Sequence, residues 1–408
     1  MSSLTPSRLS LFAVSPPGLE HLTRAELFAF GINQPRAVPG GVEFEGFLSH
    51  LYRVNLCSRT ASRVLVRAGE FYAAAFEELH RKASALPWEK FLRPGAPVTV
   101  RATCHKSKLY HSDGVAERIA DAIHDRLGPG TGIEPQPSKE GRRHKDRKEE
   151  INTNLASFAP PAPFRGSRLE NAGPTGIVVR LDHDLCTLSL DSSGEHLHKR
   201  GYRLATAKAP LRETIAAALL LHAAYDPARP LLDPFCGAGT FAIEAALMAR
   251  NIAPGLHRRF AFIDWVNFDT QEWGEQLKRA RAGANDSAPA IFASDRDEGA
   301  VAAATANAAR AGVAANIQWR VCPLSAIEPP PGPGLLIGNL PYGKRVGDSP
   351  RNLYAQFGKI VRAKFSNWRV GILAGNMSLA QATGLDFESP LILENGGLKV
   401  PFVQTPQT

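Results

Sequence analysis

The stretch "PLLDPFCGAGTFAIEAALMA" (230–249) decides the fold. Its opening apolar run is short and ends on an acid, Asp233. Gly237 and Gly239 then permit a tight turn, and the residues after them favour a helix. The order is strand, glycine loop, helix. It recurs in "AIFASDRDEGAVAAATANAARAG" (290–312), where a strand ends on Asp295 and a helix follows. "NIQWRV" (316–321), "GLLIG" (334–338) and "RVGIL" (369–373) read as further strands, and "NLYAQFGKIVRAKF" (352–365) as a helix. Strands alternating with helices predict a parallel α/β sheet. In such a sheet, ligands bind beyond the C-terminal ends of the strands. The glycine loop, Asp295 and Asn339 all fall there.

The loop's spacing narrows the ligand. It is not a P-loop, because G-x-x-x-x-G-K-[ST] is absent. A dinucleotide site expects an acid about 20 residues beyond the glycines. Asp295 lies 56 residues beyond Gly239. A cofactor without a pyrophosphate fits better: a nucleoside with a charged amino-acid tail. Asp295 has two readings, as acceptor for a ribose diol or as cap of the helix after it. Asp233 and the glycine loop on the neighbouring strand favour the first.

"NLPYGKR" (339–345) follows the strand at 334–338. The exocyclic amine of a base delocalises its lone pair into the ring. Two acceptors aimed at its N–H groups make it more nucleophilic, and the side-chain oxygen of Asn339 and the carbonyl of Leu340 can serve. Pro341 restricts the conformation of Leu340. Tyr342 can stack on a base drawn out of its helix. This chemistry rests on positioning and electrostatics. The plainer reading is an ordinary strand-end turn.

The rest of the 408-residue chain sets the context. "LSLFAV" (9–14) and "GGVEFEG" (40–46) read as strands around a helix at 18–31 closed by Gly31. "SRVLVRAGEF" (62–71) and "PVTVRATC" (97–104) read as strands, with helices at 76–86 and at 113–128, the latter capped by Asp113. "IVVRLDHDLCTLSLD" (177–191) reads as two strands about an Asp-His-Asp turn. Residues 129–175 are rich in Gly, Pro, Ser and charge, including "RRHKDRKEE" (142–150), and read as a flexible insertion. Net charge is +9, which favours an anionic partner such as nucleic acid. Residues 1–200 carry 27 Lys+Arg against 22 Asp+Glu, and residues 201–408 carry 21 against 17, so charge does not say which half holds that partner. The five cysteines form no C-x-x-C, so neither a disulfide framework nor a metal site is expected. No run approaches the length of a membrane span and no signal peptide is read at the N-terminus, so the expected location is the cytoplasm.

With these pieces placed, the sequence resembles the class I S-adenosylmethionine-dependent RNA methyltransferases that carry an N-terminal THUMP domain. "DPFCGAGTFAIEAALMARNIAPG" is similar to the family's first cofactor motif, and "NLPYGKR" to its [DN]-x-P-[FY]-G-x-[RK] catalytic motif. "TCHKSKLYHSDGVAERI" (103–119) and "SGEHLHKRGYRLATAKAPLRET" (193–214) resemble the end of the THUMP region and its junction with the methyltransferase. The resemblance implies a ferredoxin-like unit over 1–60, a THUMP domain over 61–200 with the insertion 129–175, and a doubly wound, Rossmann-like methyltransferase domain over 205–408. It implies methyl transfer to guanosine N2 in structured RNA, 23S ribosomal RNA first and transfer RNA second. Asp233, Phe235, Gly237 and Gly239 would line the methionine end of the cofactor and Asp295 would hold its ribose. Asn339, Pro341 and Tyr342 would form the target site. Two places depart from the pattern: Leu340 stands where bacterial ribosomal members usually have Pro, and Cys322-Pro323 where the family often has an acid near the adenine. The rival readings are an adenine-N6 DNA methyltransferase and a non-catalytic RNA-binding protein.

Overall fold

The computed structural model describes residues 8–128, 173–204, 211–342, 350–395 and 397–406. The basic run 142–150, nearly all of the expected insertion, and Gly343, Lys344 and Arg345 lie outside the described residues.

The first half builds one sheet from β1 (Leu9–Val14), β2 (Arg36–Val38), β3 (Gly41–Gly46), β4 (Arg63–Tyr72), β5 (Val98–His105), β6 (Thr175–Asp182) and β7 (Leu185–Asp191). The strand order is β2-β3-β1-β4-β7-β6-β5, antiparallel except for β5 and β6. Strand alternation dictates the core: Leu11 and Ala13 of β1, Val64 and Val66 of β4, and Leu188 and Leu190 of β7 are all buried. The helices are α1 (Glu20–Ala29), α2 (Leu48–Cys57), α3 (Phe76–Ser84) and α4 (Ser112–Leu127). Gly31 follows α1 at φ +80°, and Ile32 N–H reaches back to Leu27 O at 3.2 Å. Asp113 is not the cap of α4. His111 holds that place and Ser112 is already helical, so Asp113 sits in the first turn, where a carboxylate meets the helix's positive end.

The second half contains α5 (Glu213–His222), β8 (Leu231–Asp233), α6 (Thr240–Ala249), α7 (Thr270–Ala282), β9 (Ile291–Asp295), α8 (Glu298–Arg310), β10 (Ile317–Val321), β11 (Leu335–Asn339), α9 (Pro350–Lys364), β12 (Arg369–Leu373), α10 (Met377–Ala382), β13 (Leu391–Asn395) and β14 (Leu398–Gln404). The strand order is β10-β9-β8-β11-β12-β14-β13. The first five strands are parallel, and β14 and β13 close the edge antiparallel. This is the doubly wound, Rossmann-like sheet expected. No helix among the described residues is long and apolar enough to cross a membrane.

The two halves exchange side chains. Phe260, Phe262, Trp265 and Trp273, from the segment around α7, are buried in the core of the first sheet. Leu19, just before α1, is buried in the core of the second, with Leu393, Val400 and Phe402.

Candidate active site

The site begins at the switch point of the second sheet, where β8 has β9 on one side and β11 on the other. Register pairs Asp233 with Ala293, so Asp295 stands two residues further out on β9. Leu232 pairs with Leu336, and Asn339 extends three residues past that pair. Asp233, Asp295 and Asn339 therefore share one end of three adjacent strands.

Backbone and side-chain bonds tie down the glycine loop. Cys236 N–H donates to Ser294 O at 2.9 Å, and Gly239 N–H to Cys236 O at 2.7 Å. Gly237 N–H donates to Asp295 Oδ2 at 3.0 Å, and Asn307 Nδ2 donates to Ala238 O at 3.1 Å. Gly237 and Gly239 both lie in the left-handed region, at φ +48° and +84°. They differ in surroundings. A Cβ on Gly239 would lie 2.9 Å from the Trp319 ring and 3.0 Å from Ala304 Cβ, whereas a Cβ on Gly237 would project into open space. Gly239 is thus required by packing, and Gly237 leaves the loop's backbone open to a ligand.

Asp295 accepts from Gly237 N–H and, through Oδ1, from Asp297 N–H at 3.1 Å. It does not cap the helix. Asp297 does, accepting from Gly299 and Ala300 N–H. The competing reading of Asp295 is thereby removed, and each of its oxygens keeps a lone pair. Asp233 is buried and accepts from Phe235 N–H at 3.1 Å. Burial pushes its carboxyl up to about 8; the Phe235 N–H pulls the other way and neighbouring Asp295 adds to the rise. The Phe235 ring lies against Phe357 of α9, centroids 6.1 Å apart.

At the end of β11, the Oδ1 of Asn339 is buried and has no hydrogen-bond partner among the described residues. An amide oxygen left unpaired at a strand end is free to accept a hydrogen bond from a ligand. The Leu340 side chain is fully buried in the core with Tyr354 and Phe357. Its departure from Pro therefore lies in the core, on the side chain. Pro341 and Tyr342 are half-buried. Cys322 N–H donates to Asp295 O at 3.0 Å, which fixes the loop after β10 to the end of β9.

Three residues at the site went unread in the sequence. Arg203 donates to Thr240 Oγ1 at 2.7 Å and pairs with Glu213 at 3.1 Å, gripping the start of α6. Its neighbour Tyr202 donates to Glu244 Oε1 at 3.1 Å. The signal was present in "KRGYR", which supplies both Tyr202 and Arg203. Asn395 bonds to Tyr342 from β13, at a sequence separation no local pattern reveals.

Two other features remain. A hollow of about 470 Å³ is lined in part by Phe292, Ser294, Gln318, Arg320, Cys322 and Glu328; it takes in Cys322, at the place the resemblance sets near the adenine, but not Asp233, Gly237, Asp295 or Asn339. His105 and His183 both bond to Asp182 Oδ1, at 2.9 and 2.8 Å. Those bonds, His105 first, hold the Asp182 carboxyl down at about 2, and Arg180 takes its other oxygen at 3.3 Å. The carboxylate is already satisfied by three donors.

Comparison with known proteins bears on this geometry. Residues 200–399 match a family model described as RMKL-like, methyltransferase domain. Residues 10–65 match the RlmL ferredoxin-like domain, and 73–136 the THUMP domain. The slr0064 protein of Synechocystis sp. PCC 6803, provisionally named an RNA methyltransferase, is 33% identical over 402 residues, covering 97% of this chain and 96% of that one. The chain belongs to the THUMP-bearing, RMKL-like methyltransferase family. A second member, ribosomal RNA large subunit methyltransferase K/L of Syntrophotalea carbinolica, is 34% identical over 96% of this chain but only 52% of its own length. The chain thus spans about half the length of that curated relative. Among solved structures, the chain matches a Listeria monocytogenes protein described as a predicted N6-adenine-specific DNA methylase, with TM-score 0.83 and 30% identity over 98% of this chain and 97% of that one. It matches SMU.472, solved in complex with SAH, with TM-score 0.83 and 29% identity over 98% of each chain.

Proposed function

We propose that this chain transfers a methyl group from S-adenosylmethionine to the exocyclic N2 amine of a guanosine in structured RNA, with 23S ribosomal RNA the leading substrate and transfer RNA the second. The observation that carries the reading is the unpartnered, buried Oδ1 of Asn339 beside the Asp233–Gly237–Asp295 end of the sheet. The relatives named for ribosomal RNA, the THUMP match and the SAH-bound neighbour support it.

The residues fit the cofactor. Gly237 offers backbone with open space above it, as a close ligand requires. The free lone pairs of Asp295 suit a ribose diol, and Asp233 and the glycine loop suit the amino-acid tail. The bound cofactor supplies an electrophilic methyl on a sulfonium. The protein's part is to orient the nucleophile. Asn339 Oδ1 and the Leu340 carbonyl accept from the two N–H groups of the amine and hold its lone pair toward the methyl. The Tyr342 ring stacks on the extruded base, worth roughly 1–3 kcal/mol, comparable to the cost of extrusion. The extra proton on the methylated amine passes to water. Residues 1–60 and 61–200 serve as the ferredoxin-like and THUMP units that deliver RNA, 205–408 performs the transfer, and the work is cytoplasmic.

The adenine N6 amine of DNA poses the same chemistry, and the Listeria relative's description names it. Incubating the full chain with a labelled methyl donor and, separately, 23S ribosomal RNA, transfer RNA and duplex DNA decides between them. N2-methylguanosine in RNA is expected. N6-methyladenine in DNA with unlabelled RNA would overturn the proposal.

A further inference from the structure

Tyr342 is gripped at both ends. At its base, a Cβ added to Gly375 would lie 2.5 Å from Tyr342 Cβ and 2.9 Å from Cγ, so only glycine after β12 lets the tyrosine seat there. At its tip, Asn395 Nδ2 donates to the phenol oxygen at 3.2 Å. Asn395 is the last residue of β13 and only 9% exposed. Its strand is braced in turn by the first half of the chain. Gly18 lies at φ +90°, and a Cβ there would come within 2.3 Å of Ile392 O. Leu19 shares a core with Leu393 of β13, and Tyr342 packs against that same core.

We propose that Asn395 is a positioning residue for the target base: it fixes the Tyr342 ring through the phenol oxygen and, through β13, joins that ring to the N-terminal half that carries the THUMP unit. The inference rests on the stacking role given to Tyr342 above. A ring that is anchored before the base arrives does not have to be ordered when it arrives. Ordering one mobile side chain on binding costs about 3- to 10-fold in affinity. The anchor acts on RNA binding and leaves the cofactor's contacts alone.

The test uses the full chain with Asn395→Ala, Tyr342→Phe, the double variant and Asn395→Asp. Each of the first two should raise KM for RNA about 3- to 10-fold, with SAH affinity by calorimetry unchanged. The double variant should be no worse than either single, because both remove one bond. Asn395→Asp should recover most of the loss, since the phenol hydroxyl can donate to a carboxylate. Wild-type KM in Asn395→Ala, additive losses in the double variant, or a parallel loss of SAH binding would overturn the inference. If the wild-type chain methylates no RNA, the proposed function falls and this inference with it. If the wild type is active and Asn395→Ala matches it, only the inference falls.

Discussion

The ring of Tyr52, on α2, stacks on Phe262 with centroids 4.6 Å apart, and Trp273 of α7 meets the same pair edge-on. Tyr52 belongs to the first sheet's half of the chain, while Phe262 and Trp273 come after the first strand of the second. The second half therefore completes the core of the first. Leu19 does the reverse. The halves are joined by shared cores, which is how a targeting unit can hold a fixed orientation to a site.

A fragment of residues 205–408 should therefore be unstable. It would bare Phe260, Phe262, Trp265 and Trp273 and lose Leu19. In the full chain, Phe262→Ala should cost about 3–5 kcal/mol, the range for a buried aromatic truncated in a core. Urea unfolding followed by tryptophan fluorescence measures it. A loss under about 1 kcal/mol would mean the interlock is weak.

The raised carboxyl of Asp233 predicts a pH dependence. A folded-state value of about 8, against an ordinary 3.8, means the folded protein holds this proton more tightly. That contribution to stability is full at pH below about 4 and is lost as pH rises through about 8, with a slope of at most about 1.4 kcal/mol per pH unit. In the proposed function Asp233 meets the α-ammonium of the ligand's amino-acid tail, a contact that favours the ionised form, so SAH affinity should move the opposite way and rise with pH. Asp233→Asn should flatten both curves. Calorimetry and thermal unfolding across pH 6 to 9 check this, and parallel curves for wild type and variant would refute it.

The two loop glycines should fail differently. Gly239→Ala meets Trp319 and Ala304 and lies at positive φ, so it should destabilise the fold by more than the roughly 1–2 kcal/mol of backbone strain alone. Gly237→Ala carries only the strain, but its methyl occupies the space above the loop. It should keep a cooperative unfolding transition and lose SAH binding. Equal unfolding midpoints for the two variants would contradict the packing argument.

The sequence made the parallel sheet and its functional end readable because their signals are local. β8, β9, β11 and β12 are compact, mostly apolar runs, and Asp233, Asp295 and Asn339 each stand at the end of one. What escaped was set at a distance. α7 carries few apolar residues, and only Trp273 and Gln276 are buried, so its pattern does not announce the α2 face it covers. β13 and β14 form a hairpin at the sheet edge with Pro401 inside it, which weakens the strand signal. The cap reading weighed for Asp295 belongs to Asp297, two residues on, which is the acid that reaches the first free N–H groups of α8.

Asn339 gives the sharpest test of the chemistry. It follows a fully buried strand, and Leu340 N–H donates to Leu373 O at 3.2 Å, so the backbone on both sides is fixed. Its Oδ1 has no partner among the described residues, and in the proposed function it accepts from the target amine. Removing one such preorganised contact costs roughly 100- to 1,000-fold in rate. Asn339→Ala should show that loss in single-turnover methylation of RNA while SAH affinity barely changes. Asn339→Asp should retain part of the rate, because a carboxylate also accepts from N–H. Tyr342→Ala should be severe through lost stacking, worth roughly 1–3 kcal/mol, and distinctly worse than Tyr342→Phe, which keeps the ring and loses only the bond to Asn395. Methyl transfer by Asn339→Ala at the wild-type rate would remove Asn339 from the mechanism, and Tyr342→Phe as damaged as Tyr342→Ala would remove stacking from it.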